Sequence, residues 1–224
     1  MAAIELNAST LISDANLVAY WRMEANSNDS KAAYHGTDTA ITYSSGNGKF
    51  TQGAGFNGTT SQISIANAAA LCPATFTFMA WINAVDLADA YNCIQGYEDA
   101  TNGITIMVTS TGKIAIYLSG AGGVSYDGTG ITTITTGSWF HIAYTYSSGT
   151  LVGYVNGVID KTVTGGTWGA TNPVTEPFYL GRSVTAGRFF NGAIDDAALF
   201  NRALNQSEIQ YLNGISSGGF LAFT

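Results

Sequence analysis

Apolar and polar residues alternate with a period of two in short segments from Tyr20 to Phe200, separated by clusters of Gly, Ser, Thr and Asn. Sustained helical periodicity is nearly absent, so the pattern predicts an all-β chain. The run Phe76-Thr-Phe-Met-Ala-Trp-Ile82 carries Phe76, Phe78, Ala80 and Ile82 on one face and Thr77, Met79 and Trp81 on the other. Apolar side chains on both faces predict a central strand covered on both sides. Ile104 to Val108 and Lys113 to Leu118 flank Thr109-Ser-Thr-Gly112, a hairpin in which Gly supplies the positive φ. Trp139 to Tyr146, Leu151 to Val155 and Val158 to Val163 read as a three-strand meander whose second turn is Asn156-Gly157. One helix is predicted over Gln206 to Asn213, with Asn205 and Glu208 as a capping box, Leu204 stapled against Ile209 and Gly214 beyond its end.

With 224 residues, the chain fits a single large sandwich over residues 17–213, with an N-terminal segment 1–16 and a tail 214–224. Phe220, Leu221 and Phe223 in that tail are too apolar to be left in water and are expected to dock. Charged residues make up 10% of the chain, well below the roughly 25% usual for globular domains, so Ser, Thr, Asn and Gly must keep it soluble. That composition is typical of proteins working outside the cytoplasm. The net charge is −7 and the basic residues are scattered singly, which excludes a phosphate-backbone partner and an anionic membrane surface. No apolar run approaches the ~20 residues of a spanning helix, and residues 1–17 lack the pattern of a signal peptide. The expected setting is therefore extracellular or on a virion surface. Cys72 and Cys93 cannot form a zinc site by themselves. A hairpin about residues 83–91 would place Cys93 opposite residue 81, too far from Cys72 to bridge, so both are expected as free, buried thiols.

Several segments, in order, resemble the concanavalin A-like lectin/glucanase superfamily, and within it the laminin-G-like jelly rolls of bacteria and phages. They are Leu17 to Glu24 with Asn28-Asp-Ser30; Gly53 to Gly58 with Ile63 and Ile65; the Phe76–Ile82 run; and Trp139 to Ala143 with Tyr154 to Gly157. Tyr179-Leu-Gly181, Gly192 to Asp196 and Phe200 to Leu204 complete the set. The resemblance covers residues 17–212 and implies a two-sheet antiparallel β-sandwich, a concanavalin A-like jelly roll, with recognition at one rim or on a concave face.

Polysaccharide-cleaving members of that superfamily carry Glu-x-Asp-x-x-Glu on one strand, because glycoside hydrolysis needs a carboxylate pair. Glu5, Glu24, Glu98, Glu176 and Glu208 do not show this spacing, so the resemblance implies a non-catalytic module. His141 lies in phase with Trp139 and Ala143 and reads as a packed structural residue. Asp195 shares its strand phase with Ala193, Ala197 and Leu199, and a carboxylate in apolar surroundings needs backbone donors or a cation. The resemblance implies a structural Ca²⁺ there, with Asp195, Asn57, Gly58, Glu24 and Asp29 as contributors; backbone hydrogen bonding at Asp195 is the alternative. For sugar binding the candidates are Trp168 in a Gly-rich loop, Tyr126 with Asp127, and a cluster holding Tyr97 and Asn102 with Tyr91, Asn92, Glu98 and Asp99. Trp21, Trp81 and Trp139 are assigned to the core. The expected function is carbohydrate-directed adhesion through a glycan or cell-surface polysaccharide, as in a phage tail or decoration protein. The alternatives are a structural jelly roll packed among assembly subunits and, third, a glycoside-active enzyme.

Overall fold

A computed structural model describes residues 13–98, 103–119, 124–126, 130–165, 176–184 and 187–214. In chain order its strands are β1 (Leu17–Trp21), β2 (Gly36–Thr39), β3 (Thr42–Ser44), β4 (Gly53–Asn57), β5 (Gln62–Ile65), β6 (Phe76–Ala84), β7 (Tyr91–Glu98) and β8 (Gly103–Thr109). There follow β9 (Ile114–Ser119), β10 (Val124–Tyr126), β11 (Trp139–Ser147), β12 (Thr150–Val155), β13 (Val158–Thr164), β14 (Phe178–Leu180), β15 (Asn191–Phe200) and the helix α1 (Gln206–Gly214). One sheet runs β13-β12-β11-β6-β15-β4-β3, with β1 also paired to β15; the other runs β10-β9-β8-β7-β14-β5-β2. The chain is thus an antiparallel β-sandwich with one short helix, as the alternation predicts.

The β8–β9 hairpin and the β11–β12–β13 meander form from the predicted segments, with a register shift between Gly153 and Tyr154 in the β12–β13 pair. β6 is central, between β11 and β15. Phe76, Phe78, Ala80 and Ile82 face the inter-sheet core. On its other face Met79 joins a second cluster with Leu17, Tyr20, Leu204, Ile209 and Leu212. That cluster is the seat of α1. Asn205 Oδ1 accepts from the Glu208 N–H at 3.0 Å and Glu208 accepts from the Asn205 N–H at 2.8 Å, so the predicted capping box is present.

Three sequence expectations change. Cys72 and Cys93 are buried and not joined in a disulfide, but β6 and β7 do not form a hairpin: they lie in opposite sheets. Trp21 is fully buried and Trp81 nearly so, whereas Trp139 is only half-buried at the start of β11. Ala193 and Asp195 do not share a face with Ala197 and Leu199. A bulge between Asp195 and Ala198, with Asp196 at φ +47°, turns Ala197 and Leu199 into the inter-sheet core. The tail residues Phe220, Leu221 and Phe223 lie outside the described residues.

His141 packs on the outer face of β11 with its ring 5.3 Å from Trp81, and among the described residues its Nδ1 has no hydrogen-bond partner. Burial pushes its pKa down to about 3. The folded value lies below the unfolded one, so this group's stability contribution is present above pH 6.5 and is lost as the pH falls toward 3. Between pH 7 and pH 4.5 the native protein should lose about 2–3 kcal/mol more stability than His141→Leu. Urea denaturation at the two pH values measures this, and equal losses would show that the imidazole accepts a proton without unfolding.

Candidate functional site

Strand pleating turns alternate residues of β7, β8 and β9 away from the core. On this outer face Tyr91 of β7 lies across from Thr109, and Gly96 pairs with Thr105, which in turn pairs with Tyr117 of β9. Tyr179 of β14 pairs with Gly96 and extends that row, and Glu98, two residues further along β7 and opposite Gly103, lies on the same face. After β14 the chain doubles back as a narrow ribbon over β7. Gly181, at φ +79°, makes the turn, the Gly181 N–H donates to the Ile94 carbonyl, and the Ser183 N–H donates to the Arg188 carbonyl. The ribbon passes so close to β7 that a Cβ on Gly96 would lie 2.5 Å from the Arg182 carbonyl oxygen.

The ribbon delivers polar groups to the face. Glu98 accepts hydrogen bonds from the hydroxyls of Ser183 and Thr105. Arg182 donates to Gln62 Oε1 at 2.5 Å and lies over the rings of Tyr179, at 5.0 Å, and Phe189, at 5.7 Å. Arg188 lies 4.8 Å over the ring of Tyr91, which meets Tyr117 edge-on at 6.3 Å. Neither arginine has a carboxylate partner among the described residues. On this face the half-buried rings of Tyr91 and Tyr117, two guanidiniums as donors and the Glu98 carboxylate as acceptor come together, above the buried Tyr179 and Thr105.

Of the predicted ligand-binding residues, Trp168, Asp127 and Asn102 lie outside the described residues, as does Asp99. Tyr126 is in β10, paired with Ile116. Tyr97 is corrected: it is fully buried in the inter-sheet core, with its hydroxyl donating to Asn67 and to the Ala68 carbonyl. Its phase is opposite to that of Glu98, so one side chain enters the core and the next the outer face. Asn92 is likewise buried, donating to the Asp89 and Val108 carbonyls. Tyr91 and Glu98 are the members of that cluster that belong to the site. Arg182, Arg188 and Tyr117 were not singled out by sequence, although Tyr117 stands in the polar phase of an alternating strand and two of the eight basic residues fall at 182 and 188.

The five residues expected around calcium are not brought together. Asn57 pairs with Asn191, four residues along β15 from Asp195 and so ~13 Å away. Its Oδ1 accepts from the N–H groups of Thr59, Thr60 and Ser61, while the Gly58 N–H donates to the Phe190 carbonyl. Asp29 caps its own turn, accepting from the N–H groups of Tyr20, Lys31, Ala33 and Tyr34. Asp195 accepts from the N–H groups of Lys49, Phe50 and Asp196. Glu24 is near Asp195 and accepts from the Thr51 hydroxyl. Among the described residues no group of three or more His, Cys, Asp or Glu could hold a metal. The set does not fit one cation; backbone donors hold Asp195 instead. Burial pushes the Asp195 and Asp196 carboxyls up, and at Asp196 the neighbouring Asp195 adds to the effect.

A two-sheet jelly roll with a polar and aromatic outer face is the architecture of a lectin-like class. The chain belongs to the concanavalin A-like lectin/glucanases superfamily, whose family profile matches residues 57–210. No curated protein sequence matches it. Among solved structures it is similar to domain 4 of AbnA, a GH43 extracellular arabinanase from Geobacillus stearothermophilus, in complex with arabinotriose. There the TM-score is 0.75 at 23% identity, covering 88% of this chain and 98% of that one. It is also similar to the binding domain of Paraclostridial Mosquitocidal Protein 1, with TM-score 0.72, 17% identity and coverage of 90% and 52%. A third likeness is to a Trypanosoma rangeli sialidase mutant displaying trans-sialidase activity, with TM-score 0.68, 19% identity and coverage of 89% and 33%. The chain therefore spans about half and one third of the latter two. These likenesses correct the expectation of a non-catalytic protein: the fold occurs in an arabinanase and in sialidases, so one missing carboxylate spacing does not exclude enzymes. They lend no support to a virion setting.

The contact of the ribbon with β7 has a direct consequence. Gly96→Ala should destabilise the protein by about 1–3 kcal/mol, because its methyl would meet backbone. Amide exchange should accelerate at Gly181 and Ser183 but not at Ile142 in the other sheet; uniform acceleration would show that the ribbon is not separately seated.

Proposed function

We propose that this chain is a carbohydrate-binding domain and that its ligand lies on the outer face of the β7–β8–β9 sheet. The observation that carries the reading is the convergence of Tyr91, Tyr117, Tyr179, Arg182 and Arg188 with the hydroxyl-held carboxylate of Glu98. A pyranose or furanose presents C–H groups to the aromatic rings and hydroxyls to the charged groups. Superfamily membership and the arabinotriose bound to the domain of similar fold support it. The low charge of the chain supports an extracellular setting.

A glycan array should give a defined set of neutral or acidic oligosaccharides. By calorimetry, Tyr117→Ala and Arg188→Ala should each weaken binding about tenfold or more while leaving the thermal midpoint near native. An array without binders, or variants that bind as the native chain does, would overturn the proposal. A structural subunit role is favoured by the exposed apolar side chains of Val158 and Ile159 on the edge strand β13. A defined oligomer in light scattering, together with an empty array, would select that reading.

A further inference from the structure

The opposite sheet also carries a depression, remote from the tyrosine face. A cavity of about 310 Å³ opens on the outer side of β3, β4, β15 and β6. One register row crosses it: Thr42 pairs with Gly55, Gly55 with Ala193, and Ala193 with Asn83. The next residue in that row is Trp139 on β11, directly opposite Asn83. Directly paired residues point to the same face, so the half-buried indole of Trp139 stands one strand, ~5 Å, beyond the amide.

The middle of the row is small. A Cβ on Gly55 would fall 2.3 Å from Asn47 Nδ2 and 2.6 Å from Thr42 Oγ1, so any side chain there would crowd the amide and hydroxyl that line the cavity. Asn47 is fixed by donating to the Thr42 carbonyl at 3.1 Å, and Asn57 by its three backbone donors. Asn83 differs: its Oδ1 is buried and has no hydrogen-bond partner among the described residues. A buried acceptor of this kind costs about 1–3 kcal/mol unless something supplies a donor. The lining holds carboxamides, a hydroxyl and the exposed Val85, and among the described residues no charged side chain; the ring of Phe56 turns the other way, into the inter-sheet core.

We propose that this cavity is a second ligand site, specific for an uncharged, hydroxyl-rich ring such as a neutral monosaccharide residue of a glycan. On binding, the Asn83 side chain turns its Oδ1 into the cavity to accept from a ligand hydroxyl, the ring rests on the Gly55–Ala193 floor, and a following residue stacks on Trp139. The volume lies at the small end of ligand cavities, roughly 300–1,000 Å³, which suits one or two rings. Among the described residues the lining carries no charge, which selects against uronic or sialic acids, whose carboxylate would find no cationic partner there. This site does not depend on the tyrosine face, so either can fail without the other.

The test is an NMR titration of the full chain with D-glucose, D-galactose and L-arabinose, and with D-glucuronate as the charged counterpart. At least one neutral sugar should give saturable shifts at the side-chain amides of Asn47 and Asn83, with glucuronate binding more weakly. Asn83→Leu and Trp139→Ala should each lower affinity about tenfold, the equivalent of one lost hydrogen bond or stacking contact. Gly46→Leu should abolish binding, because that position lines the cavity and its nearest neighbour to an added Cβ is 3.7 Å away, leaving room for a plug without disturbing the core. It also keeps the test decisive if Asn83→Leu fails to fold. Tyr117→Ala should leave these shifts unchanged. No saturable shift with any neutral sugar, shifts that survive Gly46→Leu, or glucuronate binding as tightly as the neutral sugars would overturn the proposal.

Discussion

The sandwich is held by the ring of Phe178, which lies 5.5 Å from Trp21, 5.6 Å from Tyr97 and 6.4 Å from Phe78. Trp21 and Phe78 come from one sheet, Tyr97 and Phe178 from the other, so a single aromatic knot spans the layer between them. β14, although three residues long, sits between β7 and β5 and carries Tyr179 out to the tyrosine face while Phe178 and Leu180 point inward. Removing a ring of this size from a core costs roughly 3–5 kcal/mol, a large share of a domain's net stability.

The two outer faces are built differently. On the β7–β8–β9 side the ribbon is laid against glycine at Arg182 and Ser183, and its arginines stack on tyrosines rather than on carboxylates. A guanidinium used this way keeps donors available, because stacking occupies its plane and not its N–H edge. On the other face the bulge at Asp195–Asp196 sets the chemistry. It sends Asp195 toward the backbone N–H groups of Lys49 and Phe50, and Asp196 toward the Tyr20 hydroxyl at 2.5 Å. Each of the two adjacent carboxyls thereby has hydrogen-bond donors of its own.

The strand pattern was readable because one face of each segment is buried against the other sheet: the alternation in β6, β8, β9 and β11 is the imprint of that burial. The capping box at Asn205 and Glu208 was equally local. Pairing between distant strands was not readable. Residues 83–91 have the composition of a hairpin loop, yet they carry the chain from one sheet to the other, which no local signal distinguishes. The bulge was hidden for the same reason: a single extra residue in β15 inverts the phase after Asp196, and alternation across it misassigns Ala197 and Leu199. Tyr97 was taken for a surface aromatic because its neighbours are polar; Glu98 next to it does face outward. The arginines of the ribbon escaped because their role depends on a backbone approach that only Gly96 permits.

The placement of β15 also governs how the molecule can assemble during synthesis. Residues 191–200 pair with β4, with β6 and with β1, so three segments from the first 84 residues find their common neighbour only after residue 190 has been made. Until the ribosome has released that stretch, β4 and β6 present open edges and the apolar side of β1 has no partner. Such non-local closure makes folding slow and leaves the nascent chain prone to edge-to-edge association. The sparse charge of the sequence does little to oppose this, which places the burden of keeping early strands apart on chaperones or on the speed of completion.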